Sequence, residues 1–114
     1  MAIDINQLVI DMKNAASTVL KADVGTFRGF SERQLQALAK QAEFVATGIA
    51  KGDIDKEMQD YFLDGIEDMT LNFAKTLRGL ILVTIEKVWN AVVGVLWKAI
   101  STATNLTFSV PSHI

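Results

Sequence analysis

The chain has 114 residues, of which 50% are hydrophobic, a formal net charge of −2 and no cysteine. This length suits a single domain with a modest core. The lack of cysteine excludes disulfides, thiolate metal sites and a cysteine nucleophile, and the near-neutral charge offers no basic field for nucleic acid.

The first helix is predicted from a capping signal. Asp4 is followed three residues later by Gln7, which resembles a capping box, and apolar residues then recur at helical spacing. We therefore expect a helix over about 5–21. Gly25 and Gly29 lie in the next stretch, which has no periodicity and predicts a loop.

The second helix has the clearest start in the sequence. Ser31 begins the run Ser-Glu-Arg-Gln, a second capping box, and the apolar positions that follow predict a helix over about 32–50. Gly52 is a typical helix-terminating glycine. Asp53 or Asp55 then caps the next helix after almost no linker, so we expect helices two and three to form a tight antiparallel hairpin.

The region from residue 53 to residue 101 has no proline and carries an apolar residue at almost every third or fourth position. This pattern predicts one very long third helix over about 54–101. The alternative is a break at Arg78–Gly79 that folds the second half back and gives a four-helix bundle. We favour the continuous helix because a lone glycine costs only about 1 kcal/mol of helix propensity and the usual turn signals are missing.

The predicted fold class is therefore all-α, with two shorter antiparallel helices followed by one very long helix. Residues 1–101 form a single helical domain in this interpretation. Residues 102–114 are rich in serine and threonine and form an extended or flexible tail. We detect no internal repeat in the sequence.

The length of the third helix has a consequence for its surroundings. At about 1.5 Å per residue it spans about 70 Å, whereas the first two helices span about 25–30 Å each and cover only half of it. The other half, residues 79–100, is more hydrophobic and needs a partner from outside the chain. The residues predicted to form this oligomer or membrane interface are Leu77, Ile81, Ile85, Val88, Trp89, Val92, Val93, Val95, Leu96, Trp97 and Ile100.

A polar stripe is expected on the remaining face of the same half-helix. It consists of Glu86, Lys87, Asn90 and Lys98. Charges at the centre of a bilayer cost about 2.5–3.5 kcal/mol each, which disfavours a simple single span. An oligomeric bundle with the stripe inside and a helix lying in the membrane interface both remain open.

The sequence contains few residues that could act in catalysis or bind a metal. The acidic run that starts at Asp53 has Met58 where a calcium loop requires a glycine. The single histidine, His113, lies in the predicted tail, where no second group holds it in place. Neither a P-loop nor a dinucleotide-binding glycine pattern is found. We therefore expect no catalytic residue, no metal and no cofactor.

The sequence predicts a non-catalytic structural or assembly protein that forms a homo-oligomer through the hydrophobic half of helix three. The alternative is a membrane-active or membrane-associated helical protein, of a pore-forming, holin-like, phage or toxin type, that uses residues 79–100. The expected partners are further copies of the chain or a lipid bilayer, and neither nucleic acid nor a small-molecule substrate. The first seven residues lack basic and apolar signal regions, so we expect no cleavable secretory signal and a cytoplasmic, membrane-peripheral or membrane-inserted location.

Overall fold

The computed structural model describes residues 3–111, and within this range the chain is a compact all-helical fold without strands. A short 3₁₀ turn, Val24–Thr26, lies in the first connection. The four α-helices have similar lengths, and they are α1 (Ile5–Leu20), α2 (Glu32–Lys51), α3 (Lys56–Thr76) and α4 (Leu82–Thr104).

The first two helices begin where the sequence predicts. The Asp4 carboxylate accepts a hydrogen bond from the backbone N–H of Gln7 at 3.1 Å, which confirms that Asp4 caps α1. α1 ends at Lys21, which adopts the left-handed conformation. α2 starts directly after Ser31, although the Ser31 side chain forms no capping hydrogen bond among the described residues. The boundary at Ser31 is therefore correct and the capping box is not formed.

The connection between α2 and α3 forms the expected tight hairpin. Gly52 ends α2 with a φ of 81°, a conformation that glycine adopts without a steric penalty. Asp55 caps α3, and its carboxylate accepts a hydrogen bond from the Met58 backbone N–H at 2.9 Å. Ile54 lies buried between these two residues and packs on Gly48. Four residues therefore suffice to reverse the chain.

The prediction of one very long helix over 54–101 is wrong. The helix stops at Thr76, residues 77–81 form a turn, and α4 begins at Leu82. The chain therefore breaks near Arg78–Gly79, as in the alternative interpretation. Where two short helices and one long helix were expected, four helices of similar length pack together.

Three features stabilise this break. The backbone N–H of Arg78 donates to the carbonyl oxygen of Arg28 at 2.7 Å, a bond to another segment instead of one along the helix. Gly79 adopts a φ of 94°, and Leu77 is buried. The helix propensity lost at one glycine, about 1 kcal/mol, is small beside the burial of many large apolar side chains of α4, each worth about 1.5–3 kcal/mol.

The four helices form two hairpins, α1–α2 and α3–α4, that pack against each other. α2 and α4 contact each other; α1 contacts α2 and α4, and α3 contacts α4 and α2. Between the described residues of α1 and α3 there is no comparable contact. The two hairpins thus use the same pairs of helices, but the packing is not symmetric, because α1 contacts α4 more extensively than α3 contacts α2.

The turns inside the two hairpins repeat in sequence as well. Residues 26–30 read Thr-Phe-Arg-Gly-Phe and residues 76–80 read Thr-Leu-Arg-Gly-Leu, an offset of 50 residues. The φ angles are 88° at Gly29 and 94° at Gly79, and the next helix begins three residues after each glycine. The repeat is confined to the turns, where the backbone restricts the residue, and the helices that flank them are not alike in sequence, which is why no internal repeat was predicted.

The C-terminal segment follows α4, which extends to Thr104. Asn105 ends the helix with a φ of 60°. Residues 106–111 have no regular secondary structure, and Phe108 is partly buried against the core. The remainder of the predicted tail, including His113, lies outside the described residues.

Candidate interaction surfaces

The structure places most of the predicted interface inside the chain itself. Ile85 and Val95 are partly buried, and Ile81 is exposed. The other eight residues lie in the core, and they are Leu77, Val88, Trp89, Val92, Val93, Leu96, Trp97 and Ile100. In this fold α1, α2 and α3 cover the segment for which the sequence predicts an outside partner.

The indole of Trp89 shows how closely α4 packs on α3. Its Nε1–H donates to the carbonyl oxygen of Glu67 at 3.0 Å, a bond between two adjacent antiparallel helices. A buried tryptophan requires such a partner for its N–H. The Trp89 side chain is thus satisfied by the chain itself and not by a membrane interface or a second copy.

The predicted polar stripe lies along one face of α4. Glu86 and Asn90 are partly buried, whereas Lys87 and Lys98 are exposed. Lys98 lines a shallow groove between α4 and α1, together with Asp11. The two lysines of the stripe therefore face solvent, and Glu86 and Asn90 lie at the edge of the packed surface.

The two repeated turns meet at one end of the bundle, which we call the two-turn end (residues 21–31 and 77–81). The Arg78-to-Arg28 backbone hydrogen bond joins them directly. α2 and α4 begin at this end and α1 and α3 end there, so the four helix dipoles largely offset one another.

An open cavity of about 450 Å³ lies at the two-turn end. Three exposed cations, Arg28, Lys75 and Arg78, line it and are called the cation triad below. Gly29 and Thr76 complete the lining. None of these five lining residues carries a carboxylate, so the cavity presents positive charge without a neutralising group of its own.

Three consecutive aliphatic residues next to this cavity are exposed. They are Ile81, Leu82 and Val83, called the aliphatic triplet below, with 69%, 65% and 53% of their surface accessible. Single exposed apolar residues are ordinary, but a contiguous group beside a charged cavity is typical of an interaction surface.

A second exposed surface lies on the side formed by α2 and α3. The Phe62 ring makes edge-to-face contacts with Phe44 of α2 and with Tyr61, at centroid distances of 6.0 and 5.5 Å. Phe44, Tyr61 and nearby Met58 are exposed. We call these four residues the aromatic patch.

The two ends of the bundle differ in charge. At the two-turn end and in the adjacent first turns the basic residues Lys21, Arg28, Arg33, Lys75 and Arg78 outnumber the acidic residues Asp23 and Glu32. At the opposite end, the acidic residues Asp53, Asp55, Glu57 and Asp60 outnumber the basic residues Lys51 and Lys56. The molecule is 42 Å long, so this separation gives it a charge dipole along the bundle.

Within residues 3–111, none of the helices combines the length and the apolar character that crossing a bilayer requires. Groups of three metal-ligating side chains are likewise not found in this part of the chain.

Comparison with known proteins adds no family assignment. No family model matches the chain, and neither the curated proteins nor the solved structures give a match. Functional inference therefore rests on the surfaces described above.

The segment predicted to meet a partner or a membrane, residues 79–100, contains the aliphatic triplet, and Ile81 is among the predicted interface residues. The cation triad and the aromatic patch were not predicted as surfaces. Arg28 and Lys75 lie 47 residues apart in the chain, and only the fold brings them to one cavity. The repeated Thr-apolar-Arg-Gly-apolar pattern was the available signal, because two turns of the same sequence predict two arginines in equivalent positions.

Proposed function

We propose that this chain is a non-catalytic helical protein that binds anionic membrane surfaces through its two-turn end. The observation that carries this proposal is the exposed aliphatic triplet, which begins three residues after Arg78 of the cation triad at the same end of the bundle. Apolar side chains that enter the boundary of a bilayer, flanked by cations that meet anionic headgroups, are the two components of peripheral membrane binding.

The magnitudes favour reversible binding. Fully burying one large aliphatic side chain contributes about 1.5–3 kcal/mol, and the triplet is already partly covered by protein, so its gain is smaller. Each cation near an anionic leaflet adds about 1 kcal/mol. The sum supports a folded protein that associates with a membrane and dissociates at high salt.

The charge dipole supports one orientation. An anionic surface attracts the two-turn end and repels the acidic start of α3 at the opposite end. In this orientation the two-turn end contacts the bilayer, the opposite end points away from it, and the aliphatic triplet faces the lipid.

Flotation with vesicles tests the proposal. We expect the protein to float at low salt with phosphatidylcholine vesicles that contain phosphatidylserine, and not with phosphatidylcholine alone. The double variant Ile81→Ser, Leu82→Ser should bind about tenfold more weakly or worse, equivalent to at least about 1.4 kcal/mol. Raising the ionic strength should release the wild type because exposed charges are screened.

Ile10→Ser is the matched control, because Ile10 is an exposed isoleucine on α1. It should float like the wild type. The proposal is wrong if the protein fails to float with anionic vesicles, or if Ile10→Ser weakens binding as much as the double variant does.

A second candidate function is self-association, and the aromatic patch favours it. Tyrosine, phenylalanine and methionine are enriched in protein interfaces, and here two rings and a thioether are exposed on one side of α2 and α3. The sequence predicts that the homo-oligomer forms through α4. In this second proposal it forms instead through the exposed side of α2 and α3. A symmetric dimer would bring two aromatic patches together.

Light-scattering mass measurements test the second candidate. We expect a dimer that forms without detergent. Its mass should fall to that of a monomer in the double variant Phe44→Ser, Tyr61→Ser, because two aromatic anchors contribute most of the binding free energy of a small interface. The double variant Ile81→Ser, Leu82→Ser serves as the control and should stay dimeric. A wild-type monomer at every accessible concentration would rule this candidate out.

A further inference from the structure

We propose that the cavity at the two-turn end is a binding site for a phosphate group, held between the two arginines that the internal repeat supplies. The inference deepens and rests on the proposed membrane function, in which the phosphate belongs to a lipid headgroup. The same chemistry fits free phosphate, and the experiment below separates these two sources.

The repeat brings two equivalent cations together. Arg28 and Arg78 occupy the same position in the two Thr-apolar-Arg-Gly-apolar turns, and their backbones share a hydrogen bond of 2.7 Å. Both residues line the cavity of about 450 Å³. The meeting of the two turns thus forms a site that neither hairpin has alone.

The lining suits an anion with several oxygen atoms. Each guanidinium is planar and presents paired N–H donors, which match two oxygens of one phosphate group. Lys75 adds a third positive charge. Because like charges that line one cavity repel one another, an anion bound there relieves the repulsion as well as forming hydrogen bonds.

The helix ends add no net positive potential. α2 and α4 begin at the two-turn end, but α1 and α3 end there, so the two kinds of helix end offset one another. Lys75 and Thr76 lie at the C-terminal end of α3, so the positive charge of the cavity comes from the three cationic side chains alone.

The charge of the site predicts a preference among headgroups. Three cations favour a phosphomonoester, which carries close to two negative charges, over a phosphodiester, which carries one. Phosphatidic acid should therefore bind better than phosphatidylserine when both vesicles have equal surface charge. The exposed aliphatic triplet lies at the same end of the bundle. Acyl chains would contact the triplet, and the phosphate of the headgroup would enter the cavity.

The experiment uses the full isotope-labelled chain and two probes. Titration with inorganic phosphate should shift the amide resonances of Gly29 and Gly79 in a saturable way. Arg28→Gln and Arg78→Gln should each weaken this binding about tenfold, as the loss of one charge-assisted pair of hydrogen bonds predicts. Arg33→Gln is the matched control, because Arg33 is exposed in the first turn of α2 but does not line the cavity.

Vesicle flotation provides the second arm. The wild type should prefer phosphatidic acid to phosphatidylserine at equal surface charge. Arg28→Gln or Arg78→Gln should remove that preference, and should weaken binding to phosphatidylserine vesicles by only about fivefold, as the loss of one cation predicts. Circular dichroism of each variant should match the wild type, since all three arginines are exposed.

The outcomes separate the two proposals. Vesicle binding without a phosphatidic acid preference, and with Arg33→Gln behaving like Arg28→Gln, overturns the phosphate site and leaves the membrane function in place. Phosphate binding without vesicle binding overturns the membrane function and assigns the site to free phosphate. Binding of neither probe overturns both.

Discussion

The variant Gly29→Ala is expected to lose most of the stability of the fold. Gly29 adopts a φ of 88°, and a Cβ atom built on it would overlap the backbone carbonyl oxygen of Thr76 at the end of α3. Backbone atoms at this junction cannot rotate aside as a flexible side chain does. We expect a loss of more than about 4 kcal/mol, in the exceptional range for single substitutions, from a total that is about 5–15 kcal/mol in ordinary domains.

Gly79→Ala provides a control that the internal repeat makes possible. Gly79 occupies the equivalent turn position with a φ of 94°, but no atom lies within 4 Å of the Cβ that alanine would add. Gly79→Ala should therefore lower the free energy of unfolding by only about 1–2 kcal/mol, the penalty for alanine in the left-handed backbone conformation. Urea denaturation followed by circular dichroism measures both variants. Equal losses at Gly29 and Gly79 would contradict the close contact between the two turns.

The variant Val92→Asp is expected to unfold the chain instead of dissociating an oligomer. Val92 is fully buried among the four helices. A carboxylate at this position has no cation to pair with inside an apolar core, and the effective penalty for burying it is several kcal/mol. That penalty is comparable with the entire stability of a small domain.

Val83→Asp is the matched control in the same helix. Val83 is exposed in the first turn of α4, where a negative charge also interacts favourably with the helix dipole. We expect its stability to stay within about 0.5 kcal/mol of the wild type.

Circular dichroism and light scattering on Val92→Asp distinguish two arrangements of α4. Loss of helical signal agrees with α4 as a core helix of the monomer. A folded protein of reduced mass would instead place Val92 in an interface between chains, as the continuous long helix requires.

The results for Val92→Asp and Val83→Asp show which residues of α4 are suitable for functional experiments. If α4 is a core helix, substitutions at Trp89, Val92 or Leu96 report on folding and give no information about partners. Functional variants then belong on surfaces that leave the core intact, namely the aliphatic triplet, the cation triad and the aromatic patch.

Much of the local structure could be predicted from the sequence alone. Asp4, Gly52 and Asp55 mark helix boundaries correctly because capping carboxylates and a left-handed glycine act through atoms only a few residues away. The boundary at Ser31 is also correct, although its side chain forms no capping hydrogen bond. The apolar spacing also predicted which face of α4 is hydrophobic, and seven of the nine predicted interface residues within α4 are buried.

The tertiary structure alone decided what covers that face. The choice between a continuous helix and a break at Gly79 depends locally on about 1 kcal/mol of propensity, whereas folding back buries large side chains such as Trp89, Leu96 and Ile100 against three other helices. Nonlocal burial therefore outweighs the local preference. The sequence determined the helices and their apolar faces, and the packing of two similar hairpins determined that α4 is core and that the two repeated turns meet at an exposed end.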